Sequence, residues 1–307
     1  MVHRLDLKLG YRCNNNCRFC AVADKRGRRS KDLSEVERDL RAGRADGADF
    51  LVLTGGEPTL DPKLVDIIAM AHRLGYRDVQ LQTNARMLSY RDLVDDLVAA
   101  GLTQVVPAVH GHVAALHDHL TKSPGAFDQA IAGLRNVCDA PLTVIINTVV
   151  AKPNYAVLPD IARFLIDFGP DSMQFDFVHP MGNAEAQADT IVPVISQAAQ
   201  YVAEALDVAT SAGIPAFYEA IPYCLMPDHK HQAIELHMAS CEVREPGRVE
   251  REYRRARRED DKRKGPQCPV CRYNLICEGV WREYAERFGT DELIPVQGTP
   301  VSRDTLL

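Results

Sequence analysis

Apolar and polar residues alternate from Val2 to Gly10, the period of a half-buried strand. Further along, short apolar runs rich in Val and Ile recur between longer amphipathic stretches. The runs at 5–10, 50–54, 79–82, 104–109, 143–150 and 173–178 read as strands. The stretches at 33–43, 62–74, 90–100, 126–137 and 156–168 read as helices. In 64–70 and 161–166 the apolar residues return at helical spacing. Strands this apolar, each followed by a helix, suit a parallel sheet covered on its faces. The pattern predicts an α/β fold, an open partial (β/α)6 barrel over 1–190. A helix follows within 191–215, starting near Pro193 and ended by Gly213-Ile214-Pro215, and a smaller C-terminal domain occupies 216–307.

The strand-end segments carry the chemistry, as expected for parallel β/α barrels, whose sites lie at the C-terminal strand ends. Directly after the first strand stands Cys13-Asn-Asn-Asn-Cys17-Arg-Phe19-Cys20. One short loop thus offers three thiolates, the usual protein ligands of an iron–sulfur cubane, with one iron left open. A zinc loop or unrelated thiols is the alternative reading. After the second strand comes Gly55-Gly56-Glu57-Pro58-Thr59. Its glycines allow a tight turn and a close backbone approach to a ligand, and Glu57 offers a carboxylate.

The C-x3-C-x2-C spacing with Phe19 before the last cysteine resembles the radical S-adenosylmethionine (radical SAM) superfamily, and Gly55-Gly56-Glu57-Pro58 resembles the segment with which that family holds the SAM amino group. The resemblance implies a 4Fe-4S cluster on Cys13, Cys17 and Cys20, with SAM bound at its open iron. It further implies SAM contacts from Phe19, Gly55, Gly56, Glu57 and Pro58. Thr83 and Asn84 resemble the family's Thr-Asn-Gly corner, with Ala85 where glycine is usual; a turn-forming role is the alternative. His110 follows strand four and is a candidate to face the substrate, or a structural histidine. Asn147, polar inside strand five, needs a partner and is a candidate for SAM. His179 and Met181 belong to a Pro-x-Gly-x-Ala turn that in relatives meets the adenine. Asn154 reads as a helix cap. Glu57 and His110 are the candidate catalytic side chains.

Composition narrows the setting. The chain has 307 residues, 46% of them hydrophobic and 25% charged, with a net charge of −6. No apolar run is long enough to cross a membrane, and the N-terminus lacks a signal-like apolar core. A cytoplasmic enzyme is expected, with no membrane partner and no general bias toward nucleic acid. Nine cysteines in such a chain point to metal sites rather than disulfides.

Cys138 stands alone, as a small packed residue. Cys224, Cys241, Cys268, Cys271 and Cys277 gather in the last third. C-x2-C-x5-C over Cys268–Cys277 has pieces of a zinc ribbon. Beside the first motifs it resembles the SPASM or shorter twitch domain, which implies one auxiliary 4Fe-4S cluster. Trp281 stands where a further SPASM cysteine would be. Cys224, Cys241, Cys268 and Cys271 are the expected ligands, with Cys277 as the rival. The charged segment 242–264 reads as an exposed helix. Lys25-Arg26-Gly27-Arg28-Arg29 reads as a solvated loop, or a lid for an anionic substrate or an electron-donor protein. The resemblance implies oxidative chemistry on a peptide or a small-molecule substrate, with a donor such as flavodoxin or ferredoxin. The absence of a peptide-recognition domain ahead of the barrel weakens the peptide case. Nucleic-acid modification and a non-catalytic electron carrier are the remaining alternatives.

Overall fold

The computed structural model describes residues 3–303; Val2, at the start of the alternating run, lies outside them. Six parallel strands come in chain order: β1 His3–Gly10, β2 Phe50–Gly55, β3 Asp78–Thr83, β4 Gln104–Pro107, β5 Thr143–Val150 and β6 Ser172–Phe177. Helices separate them: α1 Leu33–Ala45, α2 Leu64–Arg73, α3 Arg91–Ala100, α4 Ala114–Thr121, α5 Ala126–Cys138 and α6 Leu158–Ile166. The predicted barrel strands and helices are all present, displaced by a residue or two at their ends. Helix α4 was not expected, because its apolar spacing is weak and two histidines interrupt it.

Each strand buries one face under helices and turns the other inward. On β1, Leu5, Leu7 and Leu9 are buried in the core, while Arg4, Asp6 and Lys8 line a central cavity. On β6, Met173, Phe175 and Phe177 are buried and Gln174 and Asp176 line the cavity. The period-2 rule therefore turns polar side chains inward on β1 and β6, beside the apolar Val106, Ile145 and Val149 of β4 and β5.

The last third is built into this sheet. After the helix Ile195–Ser211, β7 (Ala216–Glu219) pairs in parallel with β6. Strand β8 (Ser240–Glu245) pairs in parallel with β1 at the other edge, and β9 (Arg248–Glu250) pairs antiparallel with β8. The sheet order is β7-β6-β5-β4-β3-β2-β1-β8-β9. A two-stranded ribbon, β10 Lys262–Arg263 and β11 Val280–Trp281, completes the C-terminal part.

Segment 242–264 is an exposed helix only in part: residues 253–261 are helical, with the exposed Arg255 paired to Glu252 and Glu259, while the rest is mainly strand and turn. Glu242, Arg244, Glu245, Arg257 and Lys262 are all buried. All but Lys262 find charged partners inside: Arg244 pairs with Glu242 and Asp39, Arg257 with Glu219, Glu235 and Glu278, and Glu245 with Lys8 and Lys25. Alternating charge along a sequence is compatible with burial when the partners lie on other elements.

Candidate active site

The cysteine loop leaves β1 and is pinned from three directions. Backbone N–H groups of Asn16 and Arg18 donate to Thr121 and Leu120 at the end of α4, at 3.0 and 2.9 Å. Arg86, after β3, donates to the Asn14 carbonyl (2.6 Å) and the Asn15 side chain (2.8 Å). Asn183, after β6, donates from its side chain to the Cys17 carbonyl (2.7 Å) and from its backbone to that of Cys20 (3.0 Å). Gly182 permits this approach: its φ is +59°, and a Cβ there would lie 2.6 Å from the Cys20 carbonyl oxygen. The three asparagines of the motif and the unpredicted Arg86 are thus the loop's scaffold.

The Cys13 sulfur accepts weak N–H contacts from the Asn15 backbone (3.4 Å) and the Asn84 side chain (3.8 Å). Burial pushes the Cys13 and Cys17 thiols above their ordinary pKa, and for Cys17 the neighbouring Cys13 and Cys20 push the same way. Donors aimed at a sulfur and three clustered thiols form a donor set that fits an iron–sulfur cluster.

The two glycines after β2 meet protein rather than open space. A Cβ on Gly55 would lie 2.3 Å from the Gly10 carbonyl oxygen, and one on Gly56 would lie 2.3 Å from that of Arg12. The N–H groups of Gly56 and Glu57 donate to those same two carbonyls, each at 2.8 Å. The glycines therefore dock the second strand-end segment against the root of the cysteine loop.

Glu57 fastens this corner to the next one. Its Oε1 accepts from the Thr59 N–H (3.1 Å), the Thr59 hydroxyl (2.5 Å) and the Thr83 hydroxyl (2.7 Å). Its Oε2 accepts from the Asn84 N–H at 2.7 Å. Only 4% of Glu57 is exposed, and burial raises its pKa against the pull of these donors. The carboxylate therefore anchors two strand ends first, and offers any remaining acceptor site on Oε2 second. Ala85 adopts φ +61°, a left-handed conformation that costs a non-glycine residue roughly 1–2 kcal/mol. The family's glycine at this position would avoid that strain.

These segments enclose a cavity of about 590 Å³, within the range of ordinary ligand sites. Cys13, Cys17, Phe19, Cys20, Gly55, Gly56, Glu57, Thr83, Asn84, His110 and Asn147 all line it. Pro58 is buried beside it, opening a short 3-10 turn that the Glu57 side chain caps. His179 and Met181 are not among its lining residues. His179 instead stacks on Trp281 at 3.8 Å and meets Glu283 at 3.1 Å, while Gly182 and Asn183 of the same turn meet the backbone of the cysteine loop.

His110 reaches the cavity as a packed ring. Its Nδ1 accepts the Val149 N–H at 3.2 Å, its own N–H donates to His117, and Phe19 meets it edge-on at 4.7 Å. Burial holds its pKa well below the usual value, so it is neutral, with the ring proton on Nε2. That makes it a support for Phe19 and a weak donor, not a free base. Asn147 donates to Asp176. Asn154 is fully buried and caps no helix; it bonds Ala151, Val149 and the His110 carbonyl, tying β5 to the segment after β4.

The C-terminal cysteines separate into four and one. Cys224, Cys268, Cys271 and Cys277 line a second, almost wholly apolar cavity with Tyr273, Lys264 and Leu293. Burial, and then Cys277, Cys271 and Cys268, push the Cys224 thiol up to about 12. The Gly279 N–H points at the Cys277 sulfur, at 3.4 Å. Cys241 sits elsewhere, on β8 in register with Arg4, buried in the field of Asp6 and Arg4. The expected set held Cys241 and left Cys277 as a rival of Cys268 and Cys271; all three of the triplet line this cavity and Cys241 does not, because β8 joins β1 at the far side of the sheet while β7 leads directly to Cys224. Among the described residues no three His, Cys, Asp or Glu side chains meet closely enough to hold one ion; these thiols surround a space instead. Cys138, at the end of α5, is half-buried against the core.

A buried charge network links the two cavities. Arg257 has no exposed surface; it pairs with Glu219, which lines the first cavity, and with Glu278, the neighbour of Cys277. Lys262 Nζ lies 3.5 Å from the Trp281 ring centroid with no hydrogen-bond partner, and burial and the Arg257 charge lower its pKa to about 7.

Comparison with known proteins agrees with this geometry. The family model of the radical SAM superfamily matches residues 7–165, just over half of the chain. A probable GTP 3',8-cyclase of Saccharolobus solfataricus is 31% identical over 185 residues, 58% of this chain and 58% of that protein. The AdoMet-dependent heme synthase of Methanosarcina barkeri is 28% identical over 183 residues, 59% of this chain and 52% of that protein. The chain thus matches little more than half the length of these curated relatives. Among solved structures, Streptococcus suis SuiB bound to precursor peptide SuiA has a TM-score of 0.68 at 16% identity, over 98% of this chain and 75% of that one. Native anSMEcpe with bound AdoMet has a TM-score of 0.65 at 13% identity, over 96% and 92%. Such identities show a shared fold.

Proposed function

The chain belongs to the radical SAM superfamily, and on that premise we propose that it cleaves SAM reductively in the barrel cavity and oxidatively modifies a substrate held there. The observation that carries this reading is the convergence of Cys13, Cys17 and Cys20 with the Gly55–Glu57 and Thr83–Asn84 corners on one cavity. Bound there, the cluster and SAM would supply an electron and then a 5′-deoxyadenosyl radical that takes a hydrogen atom from the substrate.

The protein's part is positioning and exclusion of water. Asn15 and Asn84 direct N–H groups at the Cys13 sulfur. Glu57 holds two strand ends in register, and Phe19, braced by His110, supplies an apolar wall. Gly56 and Glu57 keep the glycine corner against the cysteine loop.

In this reading the second cavity holds an auxiliary 4Fe-4S cluster on Cys224, Cys268, Cys271 and Cys277, a twitch-like arrangement. Four soft donors lining one mainly apolar space support it. Such a cluster would take an electron from the substrate radical, which favours net oxidation. Peptide modification is the first substrate class, supported by the likeness to peptide-bound SuiB over nearly the whole chain. A small-molecule substrate is the second reading, favoured by the sequence relatives named as a GTP cyclase and a heme synthase. A flavodoxin or ferredoxin would supply the electrons.

Anaerobic reconstitution tests the two-cluster claim. Wild-type protein is expected to hold about eight irons, and a triple Cys13, Cys17 and Cys20 to Ala variant about four. Zinc in place of iron at the C-terminal cysteines would refute the auxiliary cluster while leaving the first site intact.

A further inference from the structure

Beyond the cofactor residues, the cavity wall formed by β5, β6 and β7 carries a built polar constellation. The sheet register places Asn147 beside Gln174, and Asp176 beside both Val149 and Glu219. Asn147, Gln174, Asp176 and Glu219 therefore project from neighbouring strands into the same cavity. Gln174 donates to one Asp176 oxygen at 2.7 Å and lies 3.4 Å from a Glu219 oxygen; Asn147 donates to the other Asp176 oxygen. Asp176 is surrounded by protein yet keeps part of its surface open to the cavity.

The neighbouring cations are committed elsewhere. Arg4 is held by both oxygens of Asp6, at 2.5 and 2.6 Å. Lys8 pairs with Glu245 at 3.5 Å. Arg257 alone serves Glu219, Glu235 and Glu278 at 2.9, 3.2 and 3.3 Å. Burial, and then the negative charges of Glu219 and Glu235, push the Asp176 pKa well above the ordinary carboxylate value. The N–H groups that Gln174 and Asn147 place on its two oxygens pull the other way, and a cation beside it would restore the ionised form. What this carboxylate lacks is a positive charge, and its open side faces the space where a substrate would lie.

We propose that Asp176, backed by Glu219 and oriented by Asn147 and Gln174, binds a cationic nitrogen of the substrate, an ammonium or guanidinium group, and so selects the substrate. The proposal rests on the reading of the barrel cavity as the substrate site. It applies to an amine on a peptide or on a small molecule alike, since the chemistry recognised is the same.

The test uses the full-length, cluster-reconstituted, SAM-loaded protein, with pentylammonium and the neutral 1-pentanol as probes of equal length. Calorimetric or ligand-observed NMR titration is expected to show the ammonium binding at least tenfold more tightly than the alcohol. Asp176→Asn, which keeps the shape and removes the charge, is expected to abolish that preference, and Glu219→Gln to reduce it at least threefold. Equal affinity of wild type for the two probes overturns the proposal, and so does an Asp176→Asn protein that keeps the preference. If that variant does not fold, the wild-type comparison and Glu219→Gln decide. Formation of 5′-deoxyadenosine by the same wild-type sample is measured alongside. SAM cleavage without ammonium preference sinks this inference alone; ammonium preference without SAM cleavage sinks the radical reading and leaves the cation site standing.

Discussion

Replacing Arg257 by Leu tests the buried network that joins the two cavities. Arg257 is fully enclosed and its guanidinium meets three carboxylates within 3.3 Å. Removing one partner of a buried ion pair typically costs about 3–5 kcal/mol, because the remaining charge is left uncompensated. Two features pull the expected loss toward about 3 kcal/mol. Glu219 keeps a part-open face on the cavity, where water can solvate it. Lys262, whose pKa is held at about 7 partly by Arg257, would regain its proton and serve the same carboxylates. Loss of the Arg257 stack on Trp281, at 5.0 Å, adds to the penalty. The assay is urea unfolding followed by fluorescence of Trp281, the chain's one tryptophan. The loss should also depend on pH. Burial already raises the Glu235 pKa, and Arg257 is what lowers it most; without Arg257 it rises further above the unfolded value of about 4.3. The folded variant then binds protons more tightly than the unfolded chain, so its stability recovers as pH falls from 7 toward 5. A loss below about 1 kcal/mol at pH 7, or one equal at both pH values, would refute this reasoning.

Cys277→Ser is expected to lose the second set of about four irons on reconstitution, whereas Cys241→Ser should keep them; iron and sulfide analysis of the two proteins decides which cysteine is the ligand. Gly56→Ala should destabilise the protein by about 1–3 kcal/mol, since its Cβ would lie 2.3 Å from the Arg12 carbonyl oxygen; an unchanged melting temperature would show that the corner can yield. Glu57→Gln puts an amide NH2 among four N–H and O–H donors. A stability loss of about 1–3 kcal/mol is expected, together with weaker SAM binding, read by thermal unfolding and equilibrium dialysis.

The strands and helices of the barrel were legible because their apolar residues keep a clean period of 2 or 3.6. The cysteine loop and glycine corner were legible because their chemistry is local, carried by a few adjacent residues. What stayed hidden depends on contacts between distant segments. Helix α4 lacks a strong apolar stripe, yet its last carbonyls anchor Asn16 and Arg18. Strand β8 pairs with β1 across 237 positions, so the separation of Cys241 from the other cysteines could not be read from spacing. The charged run around Arg257 looked solvated because its partners, Glu219, Glu235 and Glu278, lie on other elements. Asp176 carried no motif; only the strand register revealed that it faces the cavity beside Glu219.

The central claim is that Cys13, Cys17 and Cys20 make the barrel cavity a site of reductive SAM cleavage. It is tested most directly by incubating anaerobically reconstituted, dithionite-reduced protein with SAM and quantifying 5′-deoxyadenosine by chromatography, for wild type and Cys17→Ala side by side. The expected result is slow formation by wild type without any added substrate and none by the variant. An iron-loaded wild type that forms no 5′-deoxyadenosine, or a Cys17→Ala protein that forms as much, would contradict the account.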